Sequence, residues 1–394
     1  MPQSDLFSIF DISTSGWAIE ARLLRWLTLF WVVLGLAVLY SASYSVGIAE
    51  AGDGLRYFKI QVLWVCLGLV GLNAIVHIPL RYLLRLAGFG VIVLLGLILV
   101  TLTPALGVTV NGATRWLSLG PFLIQPSELI KPFLILQAAY LFGQWRSHSW
   151  RVRLFWLSAF LVLIGAILTQ PNLSTAAVCG MSLWLIALAA GLPYWQLGYT
   201  ALGGLSVGLL SISIKDYQRQ RVISFLDPWA DPTGHGYQLI QSLLAIGSGG
   251  LWGAGFGLSQ QKLFYLPIQY TDFIFAVYAE EFGFVGSISL VLLLAVYATL
   301  AFWVTLKTKQ RVHRLVAVGA MVFLVGQSLL NIGVASGALP TTGLPFPLFS
   351  YGGSSMISSL LTAALLIRVA RESREAVVVP IGQKRNLPSL ISVE

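Results

Sequence analysis

Ten apolar stretches, most of them long enough for a membrane-crossing helix, leave this chain few folds to choose from. They cover residues 26–46, 58–78, 82–102, 127–145, 153–169, 173–191, 194–213, 273–304, 312–336 and 350–370. A helix that spans the hydrocarbon core takes about 20 mostly apolar residues. The eighth stretch is longer, which implies a tilted helix or one that runs beyond the membrane. Only 10% of the 394 residues are charged and 57% are hydrophobic, against about 25% charged in a soluble domain. So little polar surface cannot cover a soluble globule, and the expected fold class is an all-α polytopic membrane protein of about ten helices.

The basic residues orient the stretches. Arg22 and Arg25 precede the first, and Arg81 and Arg85 follow the second. Arg146, Arg151 and Arg153 lie after the fourth, and Lys307, Lys309, Arg311 and Arg314 after the eighth. Arg368, Arg371, Arg374, Lys384 and Arg385 close the chain. With ten spans they all fall on one side, the cytoplasm by the positive-inside rule. This reading divides the chain into a cytoplasmic segment 1–25, one membrane domain 26–370 and a cytoplasmic tail 371–394. Residues 1–20 lack the early apolar core of a signal peptide, so the first stretch would act as an uncleaved anchor. The net charge of +9 is scattered between spans rather than gathered on one soluble face, which argues against nucleic acid as a partner. Cys66 and Cys179 sit inside apolar stretches and read as small core residues. No disulfide or metal-binding spacing is present.

Two long segments remain outside, 103–126 and 214–272, and long polar loops on a rigid frame are where function concentrates. The second contains an amphipathic stretch at 237–246 and a glycine-rich run at 247–257, expected to include a helix at or within the interface.

Three constellations carry chemistry. The first covers residues 111–131. Pro126 suits a first helical turn, Glu128 is favoured there by the helix dipole, and Lys131 follows on the same face. The pair reads either as a structural ion pair or as part of a polar cavity open to the outside. Arg115 and Trp116 read either as an interfacial anchor or as contacts to phosphate and sugar. The second constellation is Tyr265-Leu-Pro-Ile-Gln-Tyr-Thr-Asp272 and the helix after it. Asp272 alone would be an ordinary N-cap. Glu280 lies about 80° around the helix from Asp272 and Glu281 on the far side, so at least one of these acids faces protein or a cavity. The third covers residues 331–355, where prolines and glycines break the helix and hydroxyls such as those of Ser350 and Ser354 could meet a polar ligand.

Taken together, these segments resemble the SEDS family, which includes FtsW, RodA and a sporulation homologue. The resemblance rests on residues 111–131, Gln170-Pro-Asn-Leu-Ser-Thr175, Phe225-Leu-Asp-Pro228 with Asp231-Pro232, and residues 236–250, 265–283 and 331–355, all in family order. Two blocks differ from the family pattern. Asn172 and Ser174 stand where the family usually has Asp and Gly, and an acidic residue common just after Pro267 is missing.

The resemblance implies a peptidoglycan glycosyltransferase that polymerises lipid II at the outer membrane face and releases undecaprenyl pyrophosphate. It places the family's essential aspartate on Asp272, its functional tryptophan on Trp116 and its cavity pair on Glu128 and Lys131. Asp272 would take the proton of the acceptor 4-hydroxyl. Arg115, Lys131, Arg219 and Arg221 would stabilise the leaving pyrophosphate, with or without Mg²⁺ or Mn²⁺. No nucleotide is expected, because the polyprenyl pyrophosphate is already activated. The implied partners are a class B penicillin-binding protein and other division proteins. The N-terminal extension, the basic tail and Thr342-Gly-Leu-Pro345 lean towards the division branch. The competing readings are a lipid II flippase, an elongation polymerase and a non-catalytic scaffold.

Overall fold

The computed structural model describes residues 17–103, 106–110, 112–120 and 122–375; Asn111, Lys384 and Arg385 lie outside the described residues. The elements run α1 (Ile19–Ala51), α2 (Arg56–His77), α3 (Leu80–Thr101), β1 (Gly107–Val110), β2 (Ala113–Leu119), β3 (Phe122–Ile124), α4 (Pro126–Gly143), α5 (Trp150–Thr169), α6 (Leu173–Ala189), α7 (Tyr194–Ile214), α8 (Asp216–Leu226), α9 (Tyr237–Ser248), α10 (Ile274–Lys307), α11 (Arg311–Met321), α12 (Gln327–Ala335) and α13 (Gly353–Glu375). A π-helical turn at 322–326 joins α11 to α12.

Helix occupies each of the ten expected stretches. Among the described residues, eight of these helices are long and apolar enough to cross a membrane, the α11–α12 run counted as one. The other two are α4, with 18 residues that include Glu128, Lys131 and Gln137, and α6, with 17. Helix α1 starts at Ile19, inside the segment expected to precede the membrane domain.

The centre of the bundle is α13. Its apolar window is 83% buried, against 6% for α7, which lies at the periphery. Close approach explains why α13 can be central. A Cβ on Gly68 would lie 2.4 Å from Leu360 Cδ1, and one on Gly353 would lie 2.5 Å from the Trp64 ring. In lipid, where apolar side chains gain little by leaving the solvent, such small residues let helices pack.

The segment between α3 and α4 departs from the all-helical expectation. It forms an antiparallel sheet of order β1-β2-β3. The β-branched residues of Gly107-Val-Thr-Val110 favour an extended chain. Gly112 and Gly120 turn it at φ 75° and 61°, a conformation that glycine adopts without steric cost.

The eighth stretch is broken rather than merely tilted. Gly283 interrupts α10 with φ 65° and ψ −163°, which strands peptide groups that lipid cannot satisfy. The glycine-rich loop supplies their partners. Ala254 N donates to Glu280 O at 2.9 Å and Gly255 N to Glu281 O at 3.1 Å. Phe284 N donates to Gly250 O at 2.8 Å and Val285 N to Leu251 O at 3.1 Å. A Cβ on Gly283 would lie 2.3 Å from Gly253 N. Gly283→Ala should therefore destabilise the protein by about 1–3 kcal/mol from backbone strain alone. Thermal unfolding in detergent checks this, and a wild-type midpoint would contradict it.

Candidate functional site

One end of the bundle gathers the sheet, the α5–α6 turn, α8 and residues 336–352 around a cleft of about 170 Å³. Arg115, Asn172, Ser174, Tyr217, Gln218, Arg221, Thr341 and Thr342 are among its lining residues. Arg115 reaches it from β2. Its Nε donates to Gln170 O at 3.0 Å and a terminal nitrogen donates to Pro171 O. Burial lowers the pKa of this guanidinium, opposed in part by Tyr217 and Asp272, yet a guanidinium stays charged in proteins. Arg221 projects from α8. One of its terminal nitrogens donates to Thr341 O at 3.1 Å, the other to the Tyr217 hydroxyl, and its guanidinium lies 4.4 Å from the Tyr217 ring centre. Tyr217 and Arg221 are neighbours because they are four residues apart on a helix. Ser174 Oγ donates to Thr342 O at 2.8 Å. Asn172 caps α6 by accepting from Thr175 N.

Asp272 stands beside this cleft, separated from Arg221 by Gly343. A Cβ on Gly343 would lie 3.6 Å from Asp272 Oδ2 and 3.9 Å from both terminal nitrogens of Arg221. The N-cap reading of Asp272 fails, since the capping position of α10 is Phe273 and no side chain caps there. Asp272 Oδ1 instead accepts from Thr271 Oγ1 at 2.5 Å. Its backbone is held firmly. Asn331 Nδ2 donates to Asp272 O at 2.8 Å, and Ser350 Oγ donates to Thr271 O at 2.5 Å.

Other expected site residues lie elsewhere. Trp116 follows Arg115 on β2 and pairs with Val108 across the sheet. The register steps from Val108–Trp116 to Thr109–Thr114, a bulge that leaves Arg115 without a partner residue in the sheet, and Arg115 rather than Trp116 lines the cleft; bulges re-aim side chains in this way. Glu128 and Lys131 are buried as a closed pair. Lys131 Nζ donates to both Glu128 oxygens at 2.7 Å and to Gln327 Oε1 at 2.9 Å, and Gln327 Nε2 donates to Pro345 O at 2.7 Å. Arg219 is exposed and pairs with Asp216. Ser354 Oγ accepts from Gln125 N at 2.9 Å, tying α13 to the start of α4. Ser350 is buried and also accepts from Phe346 N.

Sequence reasoning missed Tyr217 and Gln327, and it took Asn331 only as the first residue of the third constellation. The four-residue spacing of Tyr217 and Arg221 was legible, whereas Gln327 and Asn331 are reached only through the tertiary fold. Among the described residues no three His, Cys, Asp or Glu side chains are grouped to hold a metal ion. A divalent cation bound by one carboxylate usually takes its other ligands from waters and substrate phosphates, and Asp272 is the carboxylate beside the cleft.

These features define a polytopic membrane protein with a cationic cleft and a firmly held aspartate at one end of its bundle. The chain belongs to the FtsW/RodA/SpoVE family, described as cell cycle proteins, which it matches over residues 21–375. It is 58% identical over 379 residues to the probable peptidoglycan glycosyltransferase FtsW of Synechocystis, covering 96% of each chain. It is 50% identical to a putative FtsW of Mesostigma viride, covering 98% of this chain and 91% of that one. Among solved structures, a peptidoglycan synthase complex described as coordinating polymerization and crosslinking matches with a TM-score of 0.70 at 33% identity. That match covers 89% of this chain and 97% of the other. The rod shape determining protein RodA of Thermus thermophilus matches with a TM-score of 0.64 at 30% identity, covering 89% and 96%.

The buried pair yields a stability prediction. Lys131→Met leaves Glu128 uncompensated and should cost about 3–5 kcal/mol, whereas Glu128→Gln with Lys131→Met should recover most of that loss. Thermal unfolding of the three proteins decides it. Equal loss in the single and double variants would show that the charges do not act as a pair.

Proposed function

We propose that this protein is a peptidoglycan glycosyltransferase that polymerises lipid II into glycan strands, with Asp272 as the base. The observation that carries this reading is the Asp272 carboxylate held across Gly343 from Arg221, beside a cleft that also contains Arg115. Relatives at 50–58% identity bear the glycosyltransferase name.

This reading gives Asp272, Arg115 and Arg221 each a task. Asp272 accepts the proton of the acceptor sugar's 4-hydroxyl as its oxygen bonds to the donor's anomeric carbon. The bond from that carbon to the pyrophosphate breaks, and the departing oxygens gain negative charge. Arg115 and Arg221 are the fixed cations that meet it. A planar guanidinium suits phosphate oxygens better than an ammonium does. A divalent cation held by Asp272 and the pyrophosphate would add Lewis-acid assistance to the same charge development.

Ten spans would put both termini in the cytoplasm and the cleft at the outer face, as the basic residues between spans suggest. The class of partner is a class B penicillin-binding protein that cross-links the product, in line with the solved peptidoglycan synthase complex of similar fold. Septal wall synthesis is the cellular role that fits relatives named FtsW.

A flippase calls for polar groups spread through the membrane depth, and Glu280 and Glu281 are the deeper acids that would supply them. Both are buried and engaged, Glu280 with Ser259, Gln260 and Gln261, and Glu281 with Ser41 and Lys262.

Purified protein with its transpeptidase partner should convert lipid II into glycan. Asp272→Asn should lower the rate about 10²–10⁴-fold, the range for losing a general base, while remaining folded. Equal product from wild type and variant would remove Asp272 as the base. No product from either would favour a flippase or scaffold.

A further inference from the structure

The segment that ends at Asp272 is fastened at its base by a second buried ion pair, which nothing in the chemistry above uses. Lys262 Nζ donates to Glu281 Oε1 at 2.8 Å and to Ser41 Oγ at 2.7 Å, and Ser41 Oγ donates to the same carboxylate oxygen at 2.5 Å. The two charged side chains are 8% and 0% exposed. The other carboxylate oxygen, Glu281 Oε2, is buried without a partner. Burying two charges is unfavourable, and well-packed apolar residues of similar size usually stabilise a core as well or better. Cohesion alone is therefore a poor explanation for this pair.

Its place in the chain offers a better one. Glu280, the preceding residue, accepts from Ser259 Oγ at 2.5 Å and from Gln260 N at 2.8 Å. Two adjacent carboxylates on α10 thus grip residues 259–262, and the chain between grip and helix closes into a ring with Asp272 on it. Glu281 lies nine residues beyond Asp272, about 13 Å along a helix. The ring is also cross-braced. Gln269 Nε2 donates to Lys262 O at 3.1 Å and to Ala42 O at 3.3 Å, and Ser45 Oγ donates to Lys262 O at 3.1 Å. Lys262 therefore connects α1, α10 and Gln269, three residues before Asp272.

We infer that the Lys262–Glu281 pair is a positioning device: it fixes the register of residues 259–272 and so the place of the Asp272 carboxylate beside the cleft. This rests on the reading of Asp272 as the base. A hydrogen-bonded ion pair has one favourable geometry, whereas an apolar contact tolerates sliding, and directional bonds are what a reacting group at the end of a loop requires.

The test is the full chain in lipid nanodiscs with its transpeptidase partner. Lys262→Met with Glu281→Gln removes both charges and strands neither. It should keep the wild-type thermal midpoint, leave KM within about twofold and lower kcat about 100-fold, the order expected when a reacting group shifts by about 1 Å. Amides of residues 269–273 should exchange with deuterium faster than in wild type. Gln269→Leu, which leaves the ion pair intact and cuts its link towards Asp272, should lower kcat in the same way and serves if the double variant does not fold. Wild-type kcat in a folded variant, or unchanged exchange at residues 269–273, would overturn the inference. Asp272→Asn run alongside separates the two claims. If it turns over like wild type, the base assignment fails, and the exchange measurement still decides whether the pair positions the segment.

Discussion

Lipid cannot hydrogen-bond to a peptide group, and the structure depends on how that constraint is met where α10 breaks. Gly283 turns the chain through a conformation that frees groups on both sides of it, and the glycine-rich loop after α9 returns to pair with them. A Cβ on Gly253 would lie 2.2 Å from Glu281 O, so the loop can sit that close only because glycines line the contact. Once this exchange is made, the first part of α10 is fixed against the residues before it. Glu280 and Glu281 can then reach residues 259–262, and the chain emerges at Asp272 in one place.

The same logic accounts for the concentration of irregular backbone at the cleft end. The sheet, the α5–α6 turn and residues 336–352 are held by side chains whose partners are main-chain atoms. Arg115 satisfies the carbonyls of Gln170 and Pro171, Ser174 that of Thr342, Arg221 that of Thr341, and Asn331 those of Asp272 and Leu344. Buried peptide groups must find partners. Here much of that demand falls on the same polar residues that line the cleft, so the scaffold of the site and its charge are one network.

The helices were legible because their signal is an unbroken apolar run, which survives any tertiary arrangement. Asp272 stands out in the sequence only through the family resemblance of its segment, since its own chemistry at the mouth of such a run reads as an N-cap. The three-stranded sheet was not read, although Gly112 and Gly120 mark its turns, because its strands are 3 to 7 residues long and lie in a segment treated as loop. The roles of neighbouring residues were harder still. Arg115 and Trp116 are adjacent in sequence, yet only Arg115 lines the cleft, and the bulge at Arg115 cannot be seen until the strands are recognised. Lys262 gave no local signal, since its acidic partner lies 19 residues further on and its hydroxyl partner is in α1.

The two buried lysine–carboxylate pairs show how one interaction serves different ends according to its connections. Glu128 and Lys131 belong to one helix, three residues apart, and their further links run through Gln327 to Pro345 O. They hold α4 against α12 and the segment after it, and neither lines the cleft. Lys262 and Glu281 belong to different elements, so their bond sets the position of one relative to the other. The contrast explains why charge is tolerated at both places. In the first, a polar network joins helices through a broken region where apolar packing alone would leave peptide groups unpaired. In the second, the bond fixes where a loop begins, and everything the loop carries as far as Asp272 inherits that position.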